Sequence, residues 1–168
     1  MSPTAVRLRA DQVGILVEDL EQGALRFAAL YGVDEWRAWT YGPDVAPSLT
    51  YRGRTAEYAM RLALGGSGPQ IELIEPLHGP TIYREWIERH GYGLHHIGTV
   101  VDDVAAATRR MQAAGFQLIQ SGYGYGLDGD GGYAYFDTVD RLGYVTELIE
   151  VPTRRREPEQ IWRREEER

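Results

Sequence analysis

Apolar and polar positions along the chain fall into two runs of the same pattern. Residues 9–17 are apolar and β-branched and predict a strand that ends on an acidic pair, Glu18-Asp19. Asp19 with Gln22 forms a capping-box pattern. Leu20, Ala24, Phe27 and Leu30/Tyr31 then recur at helical spacing up to Gly32, an expected C-terminal stop. Short strands are predicted over 36–41 and 48–52. A clearer one covers 57–64, with Tyr58, Met60 and Leu62 on one face and Glu57, Ala59, Arg61 and Ala63 on the other. After a turn at 65–69, residues 70–75 form the next strand. The order β-α-β-β-β then returns. A strand is predicted over 94–101, a helix capped by Asp103 through Ala114, and strands over 116–120, 133–137 and 145–151, with a glycine-rich loop at 122–132. Between the copies, residues 81–90 predict a short helix capped by Thr81 and anchored by Trp86.

The repetition reaches individual letters. Asp11-Gln12-Val13-Gly14-Ile15-Leu16-Val17-Glu18-Asp19 aligns with His95-His96-Ile97-Gly98-Thr99-Val100-Val101-Asp102-Asp103, and both halves close on Glu-Leu-Ile-Glu, at 72–75 and 147–150. The chain is a duplicated unit: a first module at 9–76, a connecting helix at 77–92, a second module at 93–152 and a charged tail at 153–168. The tail is expected to be a solvated arm or a short surface helix around Ile161-Trp162, with the tryptophan docked on the body or on a second subunit.

Equivalent positions in duplicated strands face the same way. If the modules pair about an approximate two-fold axis, Gln12, Glu72, His96 and Glu147 converge. One imidazole, two carboxylates and an amide oxygen suit a single divalent cation (Co, Ni, Mn, Mg or Zn) with positions left for water or substrate. Strand alternation sends His95 to the opposite face, as a packing or hydrogen-bonded residue. His78 and His90 are read as ordinary surface residues. Gly124-Tyr125-Gly126-Leu127-Asp128-Gly129 fits G-x-G-x-x-G but leads into a strand rather than a helix, so the dinucleotide reading fails. Asp128-Gly129-Asp130-Gly131 lacks the closing glutamate of a calcium loop. A mobile lid over a cavity, or a plain hairpin loop, fits this stretch better.

Composition narrows the function classes. The 168 residues suit one compact domain or two small modules sharing a core. The net charge of −7 speaks against nucleic acid. No apolar run is long enough to span a bilayer and no signal peptide is evident, so a cytoplasmic protein is expected. There is no cysteine, and all 18 basic residues are arginine, which excludes thiol nucleophiles and lysine Schiff bases. The 11 tyrosines and four tryptophans suit an organic-ligand cavity or simply an aromatic core. Trp36, Trp39, Tyr41, Tyr58, Met60, Tyr133 and Tyr135 are candidates for its wall.

The doubled β-α-β-β-β order, the Gly-Leu-His-His-Ile-Gly stretch at 93–98 and the two Glu-Leu-Ile-Glu strand ends resemble the vicinal oxygen chelate superfamily, in particular its methylmalonyl-CoA epimerase-like and glyoxalase I-like members. The resemblance covers residues 10–152. It implies an α+β fold of two tandem βαβββ modules forming a curved, barrel-like mixed sheet with helices outside, and a homodimer acting on a small-molecule substrate. By motif position it makes His96 and Glu147 metal ligands, Glu72 the ligand ending module one, and Glu147 the catalytic carboxylate. The implied activity is that of an epimerase, isomerase or lyase removing a proton next to a metal-bound carbonyl. Gln12 departs from the pattern, standing where epimerases and glyoxalases carry histidine. That leaves open a metal-free, ligand-sequestering protein of the bleomycin-resistance kind. A second departure concerns the glutamate that acts opposite the metal-bound one in epimerases. The matching strand offers Glu57-Tyr58-Ala59-Met60, and if Tyr58 or Met60 fills that place a two-base epimerisation loses its partner. With a single histidine, the ring-cleaving dioxygenase chemistry of the superfamily is disfavoured.

Overall fold

The structure, a computed structural model, describes residues 6–164. Local chemistry sets the elements where the pattern predicts them. Strand β1 (Gln12–Leu16) leads into α1 (Leu20–Tyr31), whose first turn is capped by Asp19 Oδ1 accepting from the Gln22 amide at 2.8 Å. Gly32 ends the helix in the left-handed region, with φ 63°. Strands β2 (Glu35–Tyr41), β3 (Ser48–Tyr51), β4 (Arg54–Thr55), β5 (Ala59–Gly65) and β6 (Gln70–His78) complete the first half. Helix α2 (Ile82–His90) connects the halves and is capped by Thr81. The second half holds β7 (Gly93–Val100), α3 (Val104–Ala113), β8 (Leu118–Tyr125), β9 (Gly131–Phe136), the one-turn α4 (Val139–Leu142) and β10 (Val145–Glu150). Strand β11 (Gln160–Arg163) follows.

These eleven strands form one curved, mixed sheet with order β11-β2-β5-β6-β1-β7-β10-β9-β8-β3-β4. The duplication is visible in the pairing. In each half the first strand lies parallel to the last, β1 with β6 and β7 with β10, and the halves meet where β1 runs antiparallel to β7. The β3–β4 hairpin leaves the first half and pairs with β8 of the second, Ser48 opposite Tyr123. The link from β2 to β3 therefore connects opposite ends of the sheet, and Tyr41 meets Tyr125 edge-on with ring centroids 5.2 Å apart.

The Glu-Leu-Ile-Glu repeats explain themselves in this frame. Leu73 packs beneath α1 with Leu20, Ala24 and Trp36; Leu148 packs beneath α3 with Val104, Ala107 and Met111. The closing glutamates cap those helices: Glu75 Oε2 accepts from the Leu20 amide and Glu150 Oε2 from the Val104 amide, both at 2.9 Å. The opening glutamates face the other way, toward the concave core of Tyr41, Tyr58, Met60, Leu62, Tyr83, Tyr125, Tyr133 and Tyr135.

Three expectations are corrected. The apolar stripe of α1 does not stay buried to its end: Leu20, Ala24 and Ala28 are covered, but Leu30 and Tyr31 are exposed and Tyr31 stacks on Phe27. The glycines at 122 and 124 belong to a strand, not to a loop. A Cβ at Gly122 would stand 2.4 Å from the Tyr133 ring, so this glycine makes room for a neighbour across the sheet. In the tail, residues 160–163 form a strand rather than a helix. Trp162 lies opposite Trp36 and packs into the core under α1, which fixes an extended register. Among the described residues no helix is long and apolar enough to cross a membrane.

Candidate metal centre

Four side chains meet at the seam between the halves, and the register of two strands puts them there. Gln12 of β1 lies opposite Gly98 of β7, and His96 of β7 lies opposite Gly14 of β1. Glu72 neighbours Gly14 from β6, and Glu147 neighbours Gly98 from β10. Gly14 is the space that the side chain across the seam fills, and Gly98 leaves room for Ile149 and for the side chain across the seam. A Cβ on Gly14 would stand 1.8 Å from the His96 ring, and one on Gly98 would stand 3.2 Å from Gln12 Oε1. The x-[Gln/His]-x-Gly repeat is thus a reciprocal device: each copy supplies one polar group and the gap that receives the other.

All four groups are buried, with His96 wholly inaccessible. His96 Nε2 lies 3.1 Å from Glu147 Oε2 and 3.2 Å from Glu72 Oε2. Gln12 Oε1 faces the same two oxygens at 3.2 and 3.3 Å, while its amide nitrogen donates to Gln70 Oε1 at 3.1 Å. Two buried carboxylate oxygens turned on one another, with the Gln12 oxygen in this orientation a third, are repulsive unless a positive centre or a donor lies among them. Donor atoms about 2.1 Å from a divalent ion and at right angles to one another lie about 3.0 Å apart, close to these separations. The residues therefore fit a cation. Two carboxylates would neutralise it, and the amide and imidazole complete a mixed oxygen–nitrogen set. A reversed Gln12 amide offers another resolution, donating to both carboxylates, but it would turn the Gln12 oxygen on Gln70 Oε1 unless that amide reversed too.

His95 completes the centre in a way strand alternation cannot foresee. The register slips between Gly14 and Ile15 of β1, leaving His95 as the extra residue of a β-bulge. Its ring accordingly does not turn away from the cluster: His95 Nδ1 lies 2.9 Å from His96 Nδ1. Burial, and then the neighbouring His96, hold the His95 pKa far down, so His95 is neutral; Tyr83 and Trp86 pack edge-on against it. A neutral His95 Nδ1 can accept from His96 Nδ1–H, which leaves His96 Nε2 to face the carboxylates, as an N–H donor while His96 is protonated and as a free lone pair once a cation takes that proton's place.

The electrostatics of the protein without metal show what a cation would replace. Burial is the largest influence on His96 and lowers its pKa, but Glu147 and Glu72 together outweigh it and push it up to about 9. The Glu147 carboxyl is pushed up, chiefly by burial; His96 and the Tyr135 hydroxyl pull it back. Burial raises the Tyr135, Tyr133 and Tyr83 hydroxyls well above the usual tyrosine range, so they remain protonated donors; Tyr83 donates to Tyr135 at 3.0 Å.

Of the expected wall residues, Tyr41, Met60, Tyr133 and Tyr135 line a small cavity of about 30 Å³ over the cluster, with Leu62, Leu64, Ile74, Tyr125, Ile149 and Arg155. Trp39 and Tyr41 border an outer pocket of about 230 Å³. Tyr58 is buried behind the wall, its hydroxyl bonded to Tyr133 and to the Ser121 carbonyl. Trp36 is not in the cavity: it faces the opposite side of β2 and packs under α1 against Phe27 and Gly65. Glu57 is exposed, and Met60 takes the cavity position on that strand. The larger surface grooves, of about 710 and 530 Å³, lie on the outer face beside α1 and α3, away from the cluster.

Comparison with known proteins gives a matching picture. The family model described as Glyoxalase/Bleomycin resistance protein/Dioxygenase superfamily matches residues 11–136. No curated protein sequence matches the chain. A methylmalonyl-CoA epimerase solved with methylmalonyl-CoA and NH4+ aligns with a TM-score of 0.63 at 20% identity, over 87% of this chain and 96% of that one. The methylmalonyl-CoA epimerase from Mycobacterium tuberculosis gives 0.59 at 21% identity, over 90% and 97%. A hypothetical protein from Bacillus halodurans C-125 gives 0.63 at 19%, over 88% and 97%. At these identities the likeness is one of fold.

Proposed function

Since the chain belongs to the glyoxalase/bleomycin resistance/dioxygenase superfamily, we propose that it is a metal-dependent enzyme of the isomerase or lyase kind, moving a proton next to a carbonyl of a small organic substrate. The observation that carries this reading is the buried meeting of Glu72, His96 and Glu147, whose ligand atoms all lie within 4.8 Å of one another, with the Gln12 side-chain amide beside them. Gln12, Glu72, His96 and Glu147 would hold the ion. When bound, it would polarise the carbonyl and stabilise negative charge on its oxygen, a contribution of several kcal/mol.

The remaining work falls to the chain's own groups. Glu147 takes the proton from the carbon beside the carbonyl. The Tyr135 hydroxyl, itself oriented by Tyr83, fixes the carboxylate. Leu62, Leu64, Ile74 and Ile149 exclude water around the reacting carbon. Among the described residues, the only carboxylates lining the inner cavity are Glu72 and Glu147. This favours a course in which one carboxylate removes and returns the proton on the same face, as in a glyoxalase-type rearrangement, over a two-base epimerisation.

A second reading is a metal-free binding protein. It is favoured by the reversed Gln12 amide, which with a protonated His96 would satisfy both carboxylates. Elemental analysis of the purified protein separates the two. The enzyme reading expects one divalent ion per chain, lost in His96→Ala. It also expects deuterium uptake from D2O into a panel of small ketones and keto acids, slowed about 10²- to 10⁴-fold in Glu147→Gln. Protein that holds no ion even after incubation with Mn²⁺, Co²⁺ or Zn²⁺, yet binds aromatic ligands tightly, sinks the enzyme reading. Light scattering of the same preparation reads the expected homodimer.

A further inference from the structure

The inner cavity and the outer pocket share three walls: Tyr41, Tyr125 and Arg155. Arg155 sits on the segment between β10 and β11, outside the stretch matched by the family model. Backbone and side-chain bonds tie that segment across the mouth of the sheet. The Leu127 amide donates to the Arg154 carbonyl at 2.9 Å, and Trp39 Nε1 donates to the Arg156 carbonyl at 2.9 Å. Glu159 accepts from the amide and hydroxyl of Thr40, Thr153 bonds to Asp130, and Arg154 pairs with Asp128.

Arg155 alone of the three consecutive arginines is half-buried. Among the described residues it makes no ion pair, although Arg154 beside it makes one. Its guanidinium lies 5.6 Å from the Trp39 ring centre. It also lies close enough to Tyr41 to oppose the burial that pushes that hydroxyl up to about 12. The guanidinium is thus a permanent cation held between two aromatic walls, with its donor fork uncommitted to any carboxylate of the described chain. The other charged groups on the outer pocket's lining, Arg156, Glu157 and Glu159, are exposed, and Glu159 is bonded to Thr40.

We propose that the outer pocket is an anion subsite in which Arg155 receives a carboxylate of the ligand. This rests on the reading above to the extent that the carbonyl end of the same substrate would lie over the cluster. The substrate class is then a carbonyl compound carrying a carboxylate within reach of both cavities. The fork matches a planar carboxylate through two N–H···O bonds, and the aromatic walls make those bonds stronger than in open water.

The test uses metal-free, full-length protein and two probes of one shape, benzoate and its neutral isostere benzamide, read by ligand-observed NMR and by tryptophan fluorescence. Benzoate is expected to bind about ten- to a hundredfold tighter than benzamide. Arg155→Gln abolishes that preference, Arg155→Lys restores part of it, and Arg37→Gln on the outer face leaves it intact. The side-chain change leaves the segment's anchors in place, because the carbonyls of Arg154 and Arg156 make those bonds. Equal binding of the two probes, no benzoate binding, or a preference that survives in Arg155→Gln overturns the subsite. Titration of the same variants with Mn²⁺ reads the metal centre separately. Loss of the benzoate preference with Mn²⁺ binding intact confirms the subsite beside a working centre. A benzoate preference in a protein that never takes up metal removes the enzyme reading and keeps the subsite.

Discussion

The two halves of this protein solve the same structural problem identically and the chemical problem differently. Each half turns a Glu-Leu-Ile-Glu strand into one cluster carboxylate, one leucine beneath a helix and one helix cap. Each also lends a glycine to the polar side chain of the other. The centre is nevertheless asymmetric. The first half contributes Gln12, which cannot titrate and is tied to Gln70. The second contributes His96, which can, and which leans on His95. Duplication has preserved the scaffold while leaving the two donors free to diverge.

The largest difference between the halves is expected at the two glycines. In Gly14→Ala the new methyl would lie 1.8 to 2.3 Å from three atoms of an imidazole held on all sides. In Gly98→Ala the nearest atom, at 2.8 Å, is the terminal methyl of Ile149, which can rotate away. Overpacking should cost about 3 kcal/mol in the first case and about 1 kcal/mol in the second, read as shifts of the urea midpoint. Equal losses would show that the His96 ring has room to move and that the seam is less reciprocal than its register implies.

Much of this was legible in the sequence. The repeat named Gln12, Glu72, His96 and Glu147, because a duplicated strand fixes equivalent positions to one face. The resemblance named the architecture. Trp36 went astray although alternation along β2 already separates it from Trp39 and Tyr41. The direction of the His95 ring was beyond reach, since a bulge re-aims a side chain without leaving a mark in the local pattern. The glycines at 14, 98 and 122 carried a signal that was visible but unread: a glycine inside a strand marks a close neighbour. Arg155 lies in a charged run whose composition says solvent, and only the bonds from Trp39, Thr40 and Leu127 turn that run into a wall.

The titratable half can be separated from the silent one by pH. Without metal the folded protein holds its proton on His96 more tightly than the unfolded chain, with a pKa of about 9 against 6.5. That stabilisation is complete below pH 6.5 and is lost as the pH rises through about 9. Glu147, also raised, acts in the same direction. The melting temperature of EDTA-treated protein should therefore fall between pH 6.5 and 9.5. A cation competes with those protons, so the rise in melting temperature that Mn²⁺ causes should be larger at pH 8.0 than at pH 6.5. A flat profile without metal would mean that His96 is not charged between its carboxylates. Gln12→His sharpens the comparison by giving the first half what the second has. It should tighten Zn²⁺ or Ni²⁺ by about tenfold while leaving Mg²⁺ little changed. Unchanged affinity for all three would remove Gln12 from the coordinating set.

The smallest expected effects belong to the helix caps, where the halves differ by one ion pair. Glu75 and Glu150 each accept from the first amide of a helix, but Glu75 also lies 3.4 Å from Arg61, whereas Glu150 makes no ion pair among the described residues. Replacing either with glutamine keeps an acceptor oxygen and removes the charge that favours a helix N-terminus. That should cost about 0.5 kcal/mol in Glu150→Gln, and somewhat more, about 1 kcal/mol, in Glu75→Gln if the partly covered arginine pair adds its share. Salt distinguishes the contributions, because its screening of the helix-end charge acts on both variants alike, whereas its screening of the pair to Arg61 acts on Glu75→Gln alone. The gap between the two variants should therefore close as NaCl is raised from 0.05 to about 1 M. A gap that persists would place the extra stability in the packing of Glu75 against the sheet, and no gap at any salt would leave Arg61 a bystander.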